Sequence, residues 1–516
     1  MTDSKGAKWM ITATVIMGTL MSAIDTSIVN VAMPYMRGSL GTSVEEITWV
    51  ATGYMLSCVL IMPIIGMLSG RFGRRNFYLF SIFLFTVSSM LCGMAWDLSS
   101  MVIFRAIQGI GGGALIPISQ AILRETFPPE EQGTAMGIYG LGVVLGPAFG
   151  PTLGGWLTDT FSWPWIFYIN VPVGILNILM VLRYIHDPPY LTREKGKIDL
   201  LGLFLLTAGL GALQLMLEKG EQKQWFESNY IQSLALTAAA GLLLFVWREL
   251  TADRPAVDLR ILKNVSFASA TALGGVLGIG LYGSMFLLPL FLQQLLGYPA
   301  YDSGLTLMPR SIAMAITMPA AGRIYNKLGP RWLVGIGLGV NVLSFWELSR
   351  LSLNVGYWNI FVPQFLQGVG FGLVFVALST AAFSTVERAR MTAASGMYNV
   401  IRQVFGSVGI AVAASQLTRA ENGYRALLVE HITDYRNVTD SWIQALSGAM
   451  LGGGADKATA HERALSLLDG EVMRQASMLA YNHVYLLVAC LFMAMLPLVF
   501  LLRGKTSAKA AEIIVD

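Results

Sequence analysis

Charge is scarce in this chain of 516 residues. Asp, Glu, Lys and Arg together supply 13% of it, about half the share of an average soluble domain. So little charge cannot clothe the three or four soluble domains that the length would otherwise suggest, and a disordered scaffold needs far more. The net charge of +4 is too small to call for a polyanionic partner, so nucleic acid is not expected. Cysteine is nearly missing as well. Cys58, Cys92 and Cys490 all fall inside apolar stretches, which excludes a disulfide framework and leaves no metal site. The four histidines (His186, His431, His461 and His483) lie in loops or at a span edge. No His/Cys cluster and no nucleophile beside a base is visible, so neither an enzyme nor a bound cofactor is expected.

Apolar residues fill the space, at 54% of the chain with a mean hydropathy of +0.59. A helix needs about 20 such residues to cross a hydrocarbon core of roughly 30 Å. Fourteen stretches qualify: 9–33, 47–68, 77–95, 101–122, 134–158, 165–185, 198–217, 230–249, 266–296, 304–325, 332–349, 358–382, 393–417 and 481–502. The first contains Asp25 and continues to Asn30 and Pro34, unlike a cleaved signal. The sequence therefore describes an all-α polytopic membrane protein whose solvent is lipid. With the N-terminus inside, inner segments hold about 22 of the 35 basic residues against about four in short outer loops, so both termini are expected in the cytoplasm. The inner set includes Lys5, Lys8, Arg71, Arg74, Arg75, the groups Arg183–Lys197 and Arg248–Lys263, Lys327, Arg331, Arg503, Lys505 and Lys509.

Two stretches repeat. Gly66-Met-Leu-Ser-Gly-Arg71-Phe-Gly73-Arg74-Arg75 closes the second span and Gly322-Arg-Ile-Tyr-Asn-Lys-Leu-Gly329-Pro330-Arg331 closes the tenth. Arg105-Ala-Ile-Gln108-Gly109-Ile-Gly111 in span four is matched by Gln364-Phe-Leu-Gln367-Gly368-Val-Gly370 in span twelve. The chain divides accordingly into a six-helix bundle (1–185), two extra helices with their linkers (186–265), and a second six-helix bundle (266–516). Parallel repeats of this kind characterise carriers that rock two bundles around a midplane cavity. The second bundle holds a long outer loop, 418–480, with apolar periodicity near Trp442–Met450 and Ala464–Met473 around Gly452-Gly453-Gly454. It is read as one or two amphipathic helices with a flexible joint, either a docking surface or an unpartnered loop.

Ionisable side chains deep in a membrane are functional candidates by default. Asp25 and Arg105 are level within about a helical turn when depth is counted at 1.5 Å per residue. Paired with a cation, the acid stays charged; separated from it, desolvation favours the protonated form. That exchange would couple the protein to protons, whereas a permanent pair would only glue spans one and four. Arg310 and Glu347 are expected to form a structural pair near the outer face. Arg402, with Asn399 and Gln403 beside it, lies roughly 14 Å from the inner face and either lines a wet cavity or bonds to carbonyls of broken helices. Span five carries Gly142, Gly146, Pro147, Gly150, Pro151, Gly154 and Gly155, a smooth stripe for close helix contact and a candidate gating hinge. Gly111-Gly112-Gly113 lacks the Lys-Ser/Thr and the strand of a phosphate loop. Gly66, Arg71, Gly73, Arg74 and Arg75 read as a tight inner loop that latches neighbouring helices.

At this point the motifs resemble a known family. Leu20-Met-Ser-Ala-Ile-Asp25-Thr-Ser-Ile-Val-Asn30-Val-Ala-Met-Pro34 is similar to the first-span signature of the 14-helix drug:proton antiporters of the major facilitator superfamily. Arg105-x-x-Gln108-Gly109 resembles the superfamily's span-four motif, and Gly142–Gly155 its antiporter motif. Trp163-Pro-Trp-Ile-Phe-Tyr-Ile-Asn170-Val-Pro172-Val-Gly174 is similar to the start of span six in the EmrB branch. The resemblance implies a major-facilitator fold in a bacterial inner membrane and proton-driven export of hydrophobic or amphipathic small molecules. It also implies an EmrA-type periplasmic adaptor and a TolC-type outer-membrane channel as partners. Asp25 would carry the proton and Arg105 answer it, with Asn30, Gln108, Asn399, Arg402 and Gln403 along the substrate path. Where the superfamily places an Asp in the loop after span two, this chain has Gly70, so no coupling role is assigned there. An uptake carrier of the same superfamily and an exporter without an adaptor remain as alternatives.

Overall fold

A computed structural model describes residues 5–188, 199–252, 255–432, 437–452 and 456–502. Residues 189–198 and Arg254 of the expected inner linkers, Gly453 and Gly454 of the expected joint, and Arg503, Lys505 and Lys509 lie outside the described residues. The described chain is helical almost throughout, as backbone groups in lipid require. Thirteen helices are long and apolar enough to cross a membrane. They are α1 (Gly6–Leu40), α2 (Val44–Phe72), α3 (Arg74–Gly93), α4 (Leu98–Thr126), α5 (Gln132–Thr160), α6 (Trp165–Tyr184), α7 (Leu200–Lys219) and α8 (Asn229–Thr251), then α9 (Val265–Leu295), the run Asp302–Leu348, and Tyr357–Ser384, Arg388–Val429 and Lys457–Leu501. The run Asp302–Leu348 is two crossings, because Gly329 breaks it at φ 74 and ψ 167. We number its parts α10 (302–328) and α11 (330–348), and the last three helices α12, α13 and α14. Fourteen crossings bring the first and last described residues to one face, called here the termini face.

The two halves use one packing scheme. In the first, α1 packs on α5 and α4, α3 on α4, and α3 on α6; in the second, α9 packs on α13 and α12, α11 on α12, and α11 on α14. Repeated sequence produces repeated contacts. Gly73 has φ 85 and Gly329 φ 74, values that glycine adopts without a Cβ penalty, so each makes the sharp join between consecutive crossings. Just beyond, the Arg75 guanidinium donates to the carbonyl of Leu182 near the end of α6 (2.8 Å), and Arg331 donates to Leu502 at the end of α14 (2.7 Å).

The extra helices α7 and α8 meet at Gly209 and Gly241, where a Cβ on either would lie about as close to the other helix's backbone as van der Waals radii forbid. Helix α8 is peripheral and turns Leu236, Leu243 and Trp247 outward, where lipid would solvate them. Helix α7 sits between the halves. Glu218 accepts from Thr52 of α2, Lys219 reaches Thr48 (3.0 Å), and Gln214 donates to Ser407 of α13 (2.9 Å).

Within the stretch 418–480 both periodic segments are helical, as expected: Trp442–Met450 lies in a helix spanning Asn437–Gly452, and Ala464–Met473 in α14, which begins at Lys457. The stretch is shorter as a connection than expected, because α13 runs on to Val429 and α14 extends beyond its apolar part. Helix α1 likewise continues through Pro34 to Leu40, beyond the expected end of span one at residue 33.

Direct contacts between the halves gather on the termini face and reach to the midplane. Gly133 of α5 lies against the Gly322 carbonyl of α10, Gly137 against Met318, and Gly66 of α2 against Ala393 of α13. Asn326 donates to the Glu130 carbonyl at the rim. Glycine at these points lets backbones touch. Replacing Gly322 with Leu should therefore pry the halves apart on this face. In a chain stripped of its native cysteines, a cysteine at the buried position Ser395 should react faster with a water-soluble maleimide once Gly322→Leu is added; an unchanged rate would contradict the closure described.

Candidate functional site

Asp25 has no accessible surface and Arg105 is 1% exposed. Burial of charges this complete is tolerated only when every lone pair and donor finds a partner. Four helices supply them. Arg105 of α4 donates through Nη1 to Asp25 Oδ2 at 2.6 Å. Gln108, one turn further along α4, donates to Oδ1 at 2.9 Å, and Asn170 of α6 donates to the same oxygen at 3.3 Å. The guanidinium is held in turn. Its Nε donates to the Val50 carbonyl of α2 (3.1 Å), its Nη1 also to Gln108 Oε1 (2.7 Å), and its plane lies over the ring of Tyr54, 4.3 Å from the centroid. Tyr54 shares a hydrogen bond with Ser22, three residues before Asp25 on α1. Asn170 is oriented by Ser89 of α3 (3.1 Å).

Glycine allows this convergence. A Cβ on Gly109 would strike the Tyr54 carbonyl and Ser57, one on Gly111 the backbone of Ser81 and Phe85, and one on Gly113 Cys58. The Gly-rich run of α4 is thus the surface on which α2 and α3 close, and it leaves no room for a nucleotide phosphate. The stripe of α5 is equally specific. Gly142 faces Ile16, Gly146 Ala23, Gly150 Ser27 and Gly154 Ile28, all on α1, and Ser27 donates to the Gly146 carbonyl at 3.1 Å. Gly155 is off this face, with only Val31 at 4.0 Å. Pro147 and Pro151 sit within a helix that continues to Thr160. The stripe therefore brings α5 onto the helix that carries Asp25.

The other expected residues are more dispersed. Asn30 is exposed, one and a half turns beyond Asp25. Asn399 donates to Gln120 Oε1 of α4 at 2.6 Å, and Ser395 donates to the same oxygen at 2.8 Å, a polar bridge between the halves that hydropathy does not reveal. Arg402 is buried against the rings of Phe375 and Tyr398, with its guanidinium carbon 5.2 Å and 6.0 Å from their centroids, so it bonds to aromatic faces rather than to broken-helix carbonyls. Gln403 accepts from Tyr282 at 3.2 Å. Arg310 and Glu347 are not brought together: Glu347 is exposed, and Arg310 donates to Ser284 at 3.1 Å. At the loop between α2 and α3, Arg74 pairs with Glu125 at the end of α4, and the Arg75 amide donates to Asp187 just past α6 at 2.7 Å. Arg71 is exposed. The loop thus ties α2 and α3 to the ends of α4 and α6, through acids that carried no motif.

Removing one member of a buried ion pair typically costs about 3–5 kcal/mol, because the other charge is left uncompensated. Arg105→Leu should lower the thermal midpoint of the purified protein by several degrees. Adding Asp25→Asn to that variant should restore most of the loss, since the remaining amides then face a neutral group. A double variant no more stable than Arg105→Leu would show that the cation matters here for packing alone.

The comparisons with known proteins agree with this geometry. A family model described as Major Facilitator Superfamily matches residues 15–410. The multidrug export protein EmrB of Haemophilus influenzae is 34% identical over 500 residues, covering 95% of each chain. The fatty acid resistance protein FarB of Neisseria gonorrhoeae is 32% identical over 486 residues and 94% of each chain, and EmrB of Escherichia coli K12 31% identical over 506 residues, 98% and 97%. In three dimensions the chain is similar to the human organic anion transporter MFSD10 (TETRAN), with a TM-score of 0.58 over 94% of this chain and 99% of that one, at 15% identity, which speaks to the fold alone. Two halves packed alike, repeated glycine joins and a family match spanning both halves lead to one conclusion: the chain belongs to the Major Facilitator Superfamily.

Proposed function

We propose that this protein exports hydrophobic or amphipathic compounds in exchange for protons by alternating access, with Asp25 as the protonation site and Arg105 as its partner. The carrying observation is the Asp25 cluster: a fully buried carboxylate held by one cation and two neutral amides. Such a carboxylate has two stable states. With Arg105 in contact it is charged and satisfied; with Arg105 withdrawn into the low dielectric of the bundle, protonation is the alternative to a bare buried charge. A slide of α1, carried with α5 by the glycine stripe, past α4 within the first half would change that distance, and this is where Gly142, Gly146, Pro147, Gly150 and Gly154 would act as a gate.

The direction of transport draws support from the relatives named for multidrug export and fatty acid resistance, which span nearly the whole chain. Asn30, Gln108, Asn399, Arg402 and Gln403 are proposed to line the substrate route. Termini-face closure would leave the route open toward the other side, and the distribution of Lys and Arg supports a cytoplasmic termini face. The extended α13 and α14, with the helix Asn437–Gly452 between them, project from the opposite face and offer a seat for a periplasmic adaptor of the EmrA type leading to a TolC-type channel.

In proteoliposomes with an imposed proton gradient, the wild-type protein should move a fluorescent amphiphile against its gradient. Asp25→Asn should abolish that movement and, because it leaves Arg105 uncompensated, lower the thermal midpoint by several degrees while the purified variant still elutes as a single folded species. Gradient-driven transport that survives in a folded Asp25→Asn variant would remove Asp25 from the mechanism.

A further inference from the structure

The internal repeat places a second, altered copy of the Asp25 cluster in the other half. Gln364 and Gln367 stand 259 positions after Arg105 and Gln108, and Ser284 stands 259 positions after Asp25. Arg310 stands 256 positions after Tyr54, the same offset that relates Gly66 to Gly322. The contacts follow this correspondence. Arg105 stacks on Tyr54 and bonds Asp25 in the first half; Arg310 bonds Ser284 at 3.1 Å in the second. Gly109 lies against the Tyr54 carbonyl, and its counterpart Gly368 against the Arg310 carbonyl. Where α6 contributes Asn170, α14 contributes Tyr485, buried in the neighbourhood of Arg310.

The two copies differ in charge. In the first, one cation meets one carboxylate. In the second, the carboxylate is a serine, the α12 arginine is a glutamine, and a cation has appeared on α10. Arg310 is 3% exposed and, among the described residues, forms no ion pair. Its guanidinium cannot discharge itself by giving up a proton. In this copy two buried donor groups are unused, as is one acceptor, Gln364 Oε1. Gln364 donates to Gln367 Oε1 (3.4 Å), which leaves the fully buried Gln367 Nε2 without a partner, and the hydroxyl of Tyr485, equally buried, has none either. A buried cation beside unused donors is the reverse of what an isolated protein interior tolerates.

We propose that this cluster is a binding site for a small monovalent anion of the chloride class, held by Arg310, Ser284, Gln367 and Tyr485. The anion occupies the electrostatic place that the Asp25 carboxylate holds in the other half, making the second copy neutral without a titratable acid. Burial of all four residues excludes the head of a large amphiphile, so the ligand is an ion rather than a transported compound. The site needs no assumption about what the protein transports.

The test is thermal unfolding of the purified full-length protein, followed by tryptophan fluorescence, as sodium chloride replaces sodium gluconate at constant ionic strength. Wild type should gain several degrees in a saturable way. Arg310→Gln should lose that response. Ser284→Asp, which installs the missing carboxylate beside Arg310, should be insensitive to chloride and at least as stable in gluconate as wild type is in chloride. If Arg310→Gln does not fold, Ser284→Asp decides alone. A wild-type protein equally stable in both salts, or a Ser284→Asp variant that keeps the wild-type chloride response, would overturn the proposal and leave water as the partner of Arg310.

Discussion

A carboxylate sealed from water must take all of its solvation from the protein, and that requirement organises the first half of this molecule. Asp25 is reached by a guanidinium from α4, an amide from the same helix and an amide from α6, while α2 holds the guanidinium through a carbonyl and an aromatic face. Four of the six helices of that half thus have their relative positions set by one charge. The arrangement is satisfied only while Arg105 stays in place, since two neutral amides do not supply a countercharge. A site that is stable with the pair closed and stable with the acid protonated, but not in between, is what a coupling device requires.

The glycines make such a site reachable. Side chains of ordinary size on Gly109, Gly111 and Gly113 would keep α2 and α3 away from α4, and on Gly146 or Gly150 would keep α5 away from α1. Close approach also occurs between the halves, at Gly66, Gly133 and Gly322, but there it closes a face instead of a site. The same device therefore does two jobs. Within a half it fixes helices that must move together; between halves it forms a seam that alternating access must be able to part. The polar bridge from Gln120 to Ser395 and Asn399 lies along that seam and has only hydrogen bonds to break.

Much of this was legible in the sequence, and the reasons are physical. Runs of apolar residues report crossings because the bilayer has a fixed thickness, and Asp25 and Arg105 announce themselves because charge in such runs is costly. The repeated glycines after α2 and α10 marked the joins where positive φ is adopted. What hydropathy cannot report is azimuth. Asn170 is 145 residues from Asp25 and neutral, so nothing in its surroundings revealed that it completes the carboxylate's shell. The supposed pair of Arg310 and Glu347 failed for the same reason: similar depth on neighbouring helices did not mean a shared face. Glu125 and Asp187 were invisible as latch partners because acids near helix ends are ordinary. The periodicity near Trp442–Met450 and Ala464–Met473 did report helices, but not that the second continues into α14, because amphipathic extensions do not register as apolar spans.

The central claim is that Asp25 exchanges its cation for a proton as the cavity fills or empties. Proton exchange by the purified protein in weakly buffered detergent solution, followed with a pH-sensitive dye, tests it without a membrane or a gradient. Addition of a saturating transported amphiphile to wild type should change the bound protons by close to one per chain, and by none in Asp25→Asn. An equal change in both proteins, or none in a wild type that demonstrably binds the compound, would contradict the account.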